Sequence, residues 1–131
     1  MAQPMPSASE LLGQRRRVLV TGGAGFIGGA VVRRLLREST AIVFNLDKMG
    51  YASDLTSIEE ALAELGEAGA NRHYLLKIDL SDADAVNAAV READPDLVMH
   101  LAAESHVDRS ITGPGVFIES NVTGTYNLLQ A

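Results

Sequence analysis

The segment RVLVTGGAGFIGG, residues 17–29, places three glycines at intervals of three directly after a run rich in β-branched residues. A strand that turns sharply into a helix can use each missing side chain: for the turn, for close approach of a phosphate, and for helix–strand packing. The start of the helix then offers unpaired amides and a positive dipole end to an anion. Gly22, Gly25 and Gly28 therefore predict a dinucleotide site, with a turn built for packing alone as the alternative.

Short apolar runs alternate with longer helical stretches along the rest of the chain. We expect strands at about 17–21, 41–47, 72–79 and 97–102, and helices at about 25–38, 54–65, 81–93 and from 117 onwards. This alternation predicts an α/β fold, a Rossmann-type doubly wound parallel sheet of strand order 3-2-1-4, truncated after about four strands. The continuous apolar character of the fourth strand is typical of a sheet covered on both faces.

Two local patterns refine the helices. Ile27, Val31 and Leu35 lie at helical spacing, so we expect them to share the buried face of the first helix. Ser81 and Asp84 form an Ser-x-x-Asp pattern, which predicts a capping box at the start of the third helix.

Length and composition limit the class of protein. With 131 residues, 47% of them hydrophobic, the chain has room for one globular domain, and we expect 17–131 to form it after a flexible leader, 1–16, rich in proline and serine. The net charge of −6 disfavours nucleic acid and anionic membrane surfaces as partners. No stretch has the ~20 apolar residues of a membrane span. The absence of cysteine excludes disulfides and fits a cytoplasmic location.

Asp47 ends the second predicted strand, 19 residues after Gly28. At an offset of about 20 residues, an acid accepts the adenosine ribose hydroxyls of NAD, and its charge repels the 2′-phosphate of NADP. The alternative is that Asp47 caps a strand–loop junction, and the neighbouring Lys48 could instead meet a phosphate. We predict NAD as the cofactor.

Two further strand ends fall on the same edge of the predicted sheet, where folds of this kind bind ligands. Asp79 could bracket the adenine, or it could begin the turn into the next helix. Ala102 and Ala103 allow close backbone approach beside a cofactor, or they are small core residues.

Several segments together resemble the dTDP-glucose 4,6-dehydratases, extended short-chain dehydrogenases/reductases that hold NAD. They are TGGAGFIG (21–28), DK and YA within DKMGYASD (47–54), KIDLSD (77–82) and, most specifically, MHLAAESHVDRSITGP (99–114). The resemblance covers about 17–131. It implies a lyase that moves hydride from C4 of dTDP-glucose to NAD, eliminates water across C5 and C6, and returns the hydride to C6, giving dTDP-4-keto-6-deoxyglucose.

The resemblance also implies which residues contact the cofactor. Glycines of the turn and the two residues between them would hold the pyrophosphate, and the following strand ends the adenosine and nicotinamide. These residues are Gly22, Gly25, Phe26, Ile27, Gly28, Asp47, Lys48, Met49, Gly50, Asp79, Leu80, Leu101, Ala102, Ala103, Glu104, Ser105 and Ser120. Ser105 would also touch the sugar nucleotide. The sequence departs from the family at Met49-Gly50 and Ser53-Asp54, where Leu-Thr and Gly-Asn are usual, and at Gly29, where serine is common.

Catalytic residues are not found in this sequence. The family uses a tyrosine base with a lysine four positions on, but Tyr51, Tyr74 and Tyr126 are followed there by leucine, isoleucine and glutamine. The family's Thr-Asp-Glu motif belongs beyond Ala131. We therefore expect a fragment that is inactive alone and forms a homodimer in the full-length protein. The alternatives are an NAD-dependent epimerase or dehydratase for another nucleotide sugar, and a non-catalytic dinucleotide-binding module.

Two other chemistries are excluded by spacing. Ser105, His106 and Asp108 are too close in sequence to converge on one reaction centre as a hydrolase triad. The histidines lack paired ligand spacing and have no cysteine to join them, so we predict no metal site.

Overall fold

The computed structural model describes residues 6–49, 53–102 and 124–131. In this part of the chain the strands are β1 (Arg17–Thr21), β2 (Ile42–Leu46), β3 (His73–Leu76) and β4 (Leu97–His100). The helices are α1 (Ala8–Leu12), α2 (Phe26–Glu38), α3 (Thr56–Leu65), α4 (Glu67–Ala70), α5 (Ala83–Ala93) and α6 (Gly124–Gln130). The strands form one parallel sheet in the order β3-β2-β1-β4, which confirms the predicted topology.

β1 lies inside the sheet, with a parallel neighbour on each side. Val18 is level with Val43 of β2 and with Leu97 of β4. Val18, Leu19 and Val20 are fully buried, because helices cover both faces of the sheet at this strand. The run of apolar residues before the glycines is therefore the central strand that such a two-sided core requires.

The core has two layers, one on each face of the sheet. Successive residues of a strand point to opposite faces, so Val18 and Val20 join one layer and Leu19 the other. The first layer is closed mainly by α2 and α3, and the second by α5 through Val86 and Ala89. The carboxyl ends of the strands are left at one edge, where the loops carry the predicted site.

The predicted buried face of α2 is confirmed for Leu35 and for Val31, which is partly buried against the same core layer, and is wrong for Ile27. Ile27 is 66% exposed, whereas Val32, Leu35 and Leu36 are buried. The period of the apolar residues allows two adjacent stripes, and the choice is made by Gly28, which packs against the turn at the end of β1. Turning Gly28 inward turns Ile27 outward.

The predicted cap of α5 is also displaced. Asp82 caps the helix by accepting a hydrogen bond from the Ala85 amide at 3.1 Å. Ser81 instead donates from its amide and its hydroxyl to Asp79 Oδ1. An N-cap oxygen reaches the amide three residues on, and because α5 begins at Ala83, Asp82 has that position.

The expectation of a flexible leader is wrong for residues 8–12, which form α1. Ala8 and Leu12, one turn apart, are buried in the first core layer against α2. The Ala8 amide donates to Glu38 at 3.0 Å, and Ser7 caps the helix. The prolines and serines around these residues predict a tail. The apolar face formed by Ala8 and Leu12 nevertheless covers the carboxyl end of α2. Residues 1–5 lie outside the described residues.

The last elements differ from expectation in their exposure. Val98 of β4 is 42% exposed, so its side of the strand is not covered as the apolar run predicted. In α6, Tyr126 and Leu129 are exposed, and Asn127 faces inward, where its Nδ2 donates to the Leu80 carbonyl at 2.8 Å. Helix positions before Gly124 lie outside the described residues. Across the described ranges, we find no helix with the length and apolar character to cross a membrane.

Candidate functional site

The turn after β1 can be built only with glycine at Gly22. Its φ is 74°, in the left-handed region, and a Cβ there would lie 2.7 Å from both the amide nitrogen and the Cα of Ala102. Its amide donates to the Leu46 carbonyl at 2.8 Å. Gly22 thus joins the ends of β2 and β4 to β1.

Gly28 allows α2 to rest directly on this turn. A Cβ at Gly28 would overlap the Gly22 carbonyl oxygen and lie 2.7 Å from the Gly22 carbonyl carbon. Gly29, the next residue, has no such constraint, since its nearest atoms beyond the helix backbone would lie at 3.5 Å. The first turn of α2 therefore packs closely on the turn after β1 at Gly28 but not at Gly29.

The amino end of α2 is open towards the carboxyl edge of the sheet. The first amides of any helix have no partner within the helix, and Gly25 in the N-cap position has no side chain to accept from them. The first turn contains no acidic residue, and Phe26 is 92% exposed. No acidic side chain of the first turn neutralises the partial positive charge at the amino end of α2. A helix end of this kind favours an anion.

Asp47 follows β2 and turns back to the glycine turn. Its Oδ2 accepts from the Ala24 amide at 3.0 Å, and its Oδ1 accepts from the Met49 amide at 2.7 Å and from the Ser53 hydroxyl at 2.9 Å. The side chain lies close to the amino end of α2, and only 8% of the residue is exposed. Asp47 therefore organises the strand–loop junction, as the second alternative has it, and it also contacts the glycine turn; its contact with a ribose stays a prediction.

Ala24 is held from two sides. Its amide donates to Asp47, and its carbonyl accepts from the Asp54 amide at 2.7 Å. Asp54 also binds the first residue of α3, because its Oδ1 accepts from the amide and hydroxyl of Thr56. The glycine turn is thus tied to the loop after β2 at both of its edges.

The strand end at Asp79 contains the local turn that was raised as its alternative role. Hydrogen bonds from the Ser81 amide and hydroxyl, with the charge of Lys48, hold the pKa of Asp79 below its usual value. Leu80 is buried, and its carbonyl accepts from Asn127. Asp79 itself remains exposed at the carboxyl edge, where a ligand can reach it.

On the other side of the turn, Thr21 forms hydrogen bonds with the residues that follow β4. Its Oγ1 accepts from the amides of Leu101 at 3.0 Å and Ala102 at 3.2 Å, and lies 2.6 Å from His100 Nδ1. Two acceptor positions are filled, so the hydroxyl proton of Thr21 points to Nδ1. His100 is therefore neutral, with its proton on Nε2, 2.8 Å from Thr125 Oγ1. This chain of hydrogen bonds connects β1, β4 and α6.

Acidification is expected to weaken the fold through two half-buried histidines, His73 and His100. Burial lowers the pKa of His100 and of His73 below the usual value of 6.5, so as the pH falls the unfolded chain takes up protons before the folded one. Stability is complete above 6.5 and is lost as the pH falls from there through the folded pKa values. Urea unfolding between about pH 7.5 and 5.5 measures the slope. His100→Gln should flatten it, and a slope unchanged in His100→Gln and His73→Gln alike would contradict this assignment.

Sequence reasoning missed the polar residues beneath the turn. Asn45 of β2 is fully buried against Gly23, and its Nδ2 is 3.4 Å from His73 Nε2. Its Oδ1 has no hydrogen-bond partner among the described residues. A lone asparagine within an apolar strand was the available signal for it. Thr21 and His100 carried no comparable signal, because their partners lie about 80 residues apart in sequence.

Part of the predicted site cannot be placed. Gly50, Ala103, Glu104, Ser105 and Ser120 lie outside the described residues. Of the predicted residues that are described, those of the glycine turn, Asp47 to Met49, Asp79 and Leu80, and Leu101 and Ala102 all lie along the carboxyl edge of the sheet. Among the described residues, no three His, Asp or Glu side chains are grouped so that they could hold a metal ion.

Known proteins share both the sequence and the fold. The dTDP-glucose 4,6-dehydratase of Salmonella typhimurium is 48% identical over 114 residues, which cover 87% of this chain and 30% of that protein. The dTDP-glucose 4,6-dehydratase 1 of Escherichia coli K12 is 50% identical over 115 residues, covering 88% and 30%. The chain thus spans about a third of the length of these curated relatives. They confirm the resemblance inferred from the motifs.

Solved structures agree with the sheet described above. A UDP-glucose-4-epimerase from Stenotrophomonas maltophila with bound NAD has a TM-score of 0.73 at 29% identity, covering 88% of this chain and 32% of that one. A dTDP-glucose 4,6-dehydratase from Bacillus anthracis in complex with NAD has a TM-score of 0.69 at 28% identity, covering 88% and 33%. The family model described as GDP-mannose 4,6 dehydratase matches residues 19–131, which include the last three residues of β1, the whole of β2, β3 and β4, and the glycine turn. The chain belongs to the GDP-mannose 4,6-dehydratase family.

Proposed function

We propose that the chain is the NAD-binding portion of a dTDP-glucose 4,6-dehydratase, a hydro-lyase that converts dTDP-glucose to dTDP-4-keto-6-deoxyglucose. The observation that carries the proposal is the placement of the Asp47 carboxylate against the Ala24 amide, beside the open amino end of α2. An anion site and a ribose acceptor would thus be adjacent, as the two halves of an adenosine diphosphate require. The relatives at 48% and 50% identity support the choice of reaction.

The described residues fit NAD. Gly22 and Gly28 let the chain's own backbone pack closely, which brings the start of α2 to the edge of the sheet, and the amides at the start of α2 would hold the pyrophosphate. Asp47 would accept the adenosine ribose, with Asp79 on the adenine side and Leu101 on the nicotinamide side. A carboxylate beside the ribose disfavours the 2′-phosphate of NADP. When bound, NAD would accept hydride from C4 of the sugar and return it to C6.

Proton transfer would come from the remainder of the enzyme. Tyr74 stacks on Phe44 at 5.4 Å between ring centroids, and Tyr126 lies on the exposed side of α6. Neither has a lysine four positions on to lower its pKa. The residues of this chain therefore bind and orient, and we expect no turnover of dTDP-glucose by these 131 residues alone.

The proposal is tested by titrating the chain with NAD and NADP in a calorimeter. We expect NAD to bind at least about tenfold more tightly, because a charge of the same sign faces the 2′-phosphate. Binding of neither nucleotide, or a preference for NADP, would contradict the proposal. An assay with dTDP-glucose and NAD completes the test. Formation of the 4-keto-6-deoxy product by this chain alone would refute our proposal that the remainder of the enzyme supplies the proton-transfer residues.

A second candidate is an NAD-dependent epimerase for another nucleotide sugar. It is favoured by the solved UDP-glucose 4-epimerases, one of which has the higher TM-score of the two structures compared above. The sequence favours the dehydratase, since the curated dehydratases reach 50% identity and that epimerase 29%. Assaying the full-length enzyme with dTDP-glucose and with UDP-glucose separates the two, because epimerisation leaves the C6 hydroxyl in place.

We also propose a homodimer in the full-length enzyme and a cytoplasmic location. The exposed Tyr126 and Leu129 form an apolar side of α6 that a second subunit could cover. Sedimentation of the full-length enzyme tests this, and a monomer at micromolar concentration would contradict it. The absence of cysteine supports the location, since a reducing compartment gives no use for disulfides.

A further inference from the structure

The carboxylate of Asp47 is already almost fully engaged by the protein. Oδ1 accepts from the Met49 amide and from the Ser53 hydroxyl, and Oδ2 accepts from the Ala24 amide. An ionised carboxylate has about four acceptor positions, two on each oxygen. Three of the four are filled by these donors, and the remaining position is on Oδ2.

A ribose brings two donors to this carboxylate. Its vicinal hydroxyls are on adjacent carbons, so they suit a bidentate contact in which each donates to a different oxygen. One hydroxyl can use the remaining position on Oδ2. The other needs Oδ1, where both positions are taken. Full engagement of the ribose therefore requires one of the present donors to leave.

Only one of the three donors can leave without moving the main chain. The Met49 amide belongs to a turn with φ of 59°, and the Ala24 amide belongs to a residue whose carbonyl is also held, by Asp54. Both are fixed by the backbone. The Ser53 hydroxyl is on a half-buried side chain, and turning it to another staggered rotamer would remove it from Oδ1 while the main chain stays in place. It is the donor that a ribose would displace.

We propose that Ser53 is an affinity-determining residue that competes with the adenosine ribose for Asp47 Oδ1. This rests on the proposed function, in which Asp47 is the ribose acceptor. In the free chain the hydroxyl holds the loop after β2 against the glycine turn, and in the complex it gives up its place to a hydroxyl of the nucleotide. Ser53 thus stabilises the free chain at the expense of dinucleotide affinity.

The test compares Ser53→Ala and Ser53→Gly with Ser57→Ala, a control on the exposed side of α3. Affinity for NAD is measured by calorimetry, and the melting temperature is measured without nucleotide. Both Ser53 variants are expected to bind NAD about three- to tenfold more tightly, the range of one hydrogen bond, and to melt at a lower temperature. A merely structural role would lower affinity and stability together. Ser57→Ala should change neither.

A second ligand isolates the hydroxyl that competes. NAD lacking the adenosine 2′-hydroxyl offers a single donor, which fits the remaining position on Oδ2. The gain from Ser53→Ala is therefore expected to vanish with this analogue. An equal gain with both ligands, weaker NAD binding by Ser53→Ala, or a gain confined to Ser53→Gly would each overturn the proposal.

Failure of this inference can be told apart from failure of the proposed function. If Asp47→Asn weakens NAD binding and Ser53→Ala leaves it unchanged, the ribose acceptor stands and the competition is refuted. If Asp47→Asn leaves NAD binding unchanged, the ribose acceptor itself is refuted, and the competition with it.

Discussion

Gly28→Ala is expected to abolish measurable NAD binding and to destabilise the fold by about 3 kcal/mol or more. The added Cβ would overlap the main-chain carbonyl oxygen of Gly22, a residue whose amide is bound to the Leu46 carbonyl at the end of β2. Relief requires α2 to move away from the turn, which withdraws the helix amides from the phosphate position. Affinity for NAD should fall by at least about 100-fold, as expected when the anion site is displaced by about an ångström.

Gly29→Ala is the matched control for this substitution. The same change is made one residue later in the same helix, where the nearest atoms beyond the helix backbone would be 3.5 Å from the new Cβ. Alanine is a better helix former than glycine by up to about 1 kcal/mol, so this variant should be as stable as the parent chain or more stable. Calorimetric titration with NAD and thermal unfolding measure both variants. Equal behaviour of the two would contradict the packing role of Gly28.

Asp47→Asn is expected to weaken NAD binding by at least about 30-fold and to lower the free energy of unfolding by about 2–4 kcal/mol. The substitution preserves shape but replaces one acceptor oxygen by a donor. If the amide oxygen keeps Met49 and Ser53, the new NH₂ group faces the Ala24 amide, and two donors are left opposed. The charge that strengthens each of these hydrogen bonds is lost as well.

The control for Asp47→Asn is Asp84→Asn, on the exposed side of α5. It makes the same change of net charge far from the glycine turn, so its affinity for NAD should equal that of the parent chain. Affinity is measured at two salt concentrations, because a contribution from net charge alone is screened by salt and a local hydrogen bond is not. Similar losses in the two variants would show that Asp47 acts only through the overall charge.

The sheet and its order could be predicted from the sequence because both depend on local patterns. The apolar run at Arg17–Thr21 and the glycines after it are contiguous, and together they fix a strand, a turn and a helix start. Right-handed crossovers then leave few possible strand orders. The position of Asp47 follows in the same way, since it depends only on the end of β2.

Features that depend on distant contacts could not be predicted. The exposure of Ile27 follows from the contact of Gly28 with Gly22, which the helical spacing of Ile27, Val31 and Leu35 does not reveal. The role of Thr21 depends on residues about 80 positions later, which no local pattern relates to it. The helix at Ala8–Leu12 is too short to show a period, and its burial is due to the end of α2 that it covers.

The close approach of Ala102 to Gly22 changes what the glycine signature says about ancestry. Gly22 leaves room for the chain's own backbone, and Gly28 does the same for the turn, so neither depends on a nucleotide for its retention. A descendant that had lost its coenzyme would still keep both under selection for folding. The same holds for Asp47, because its carboxylate is bound by three of the chain's own donors, so none of these three residues alone records whether a descendant still uses a coenzyme.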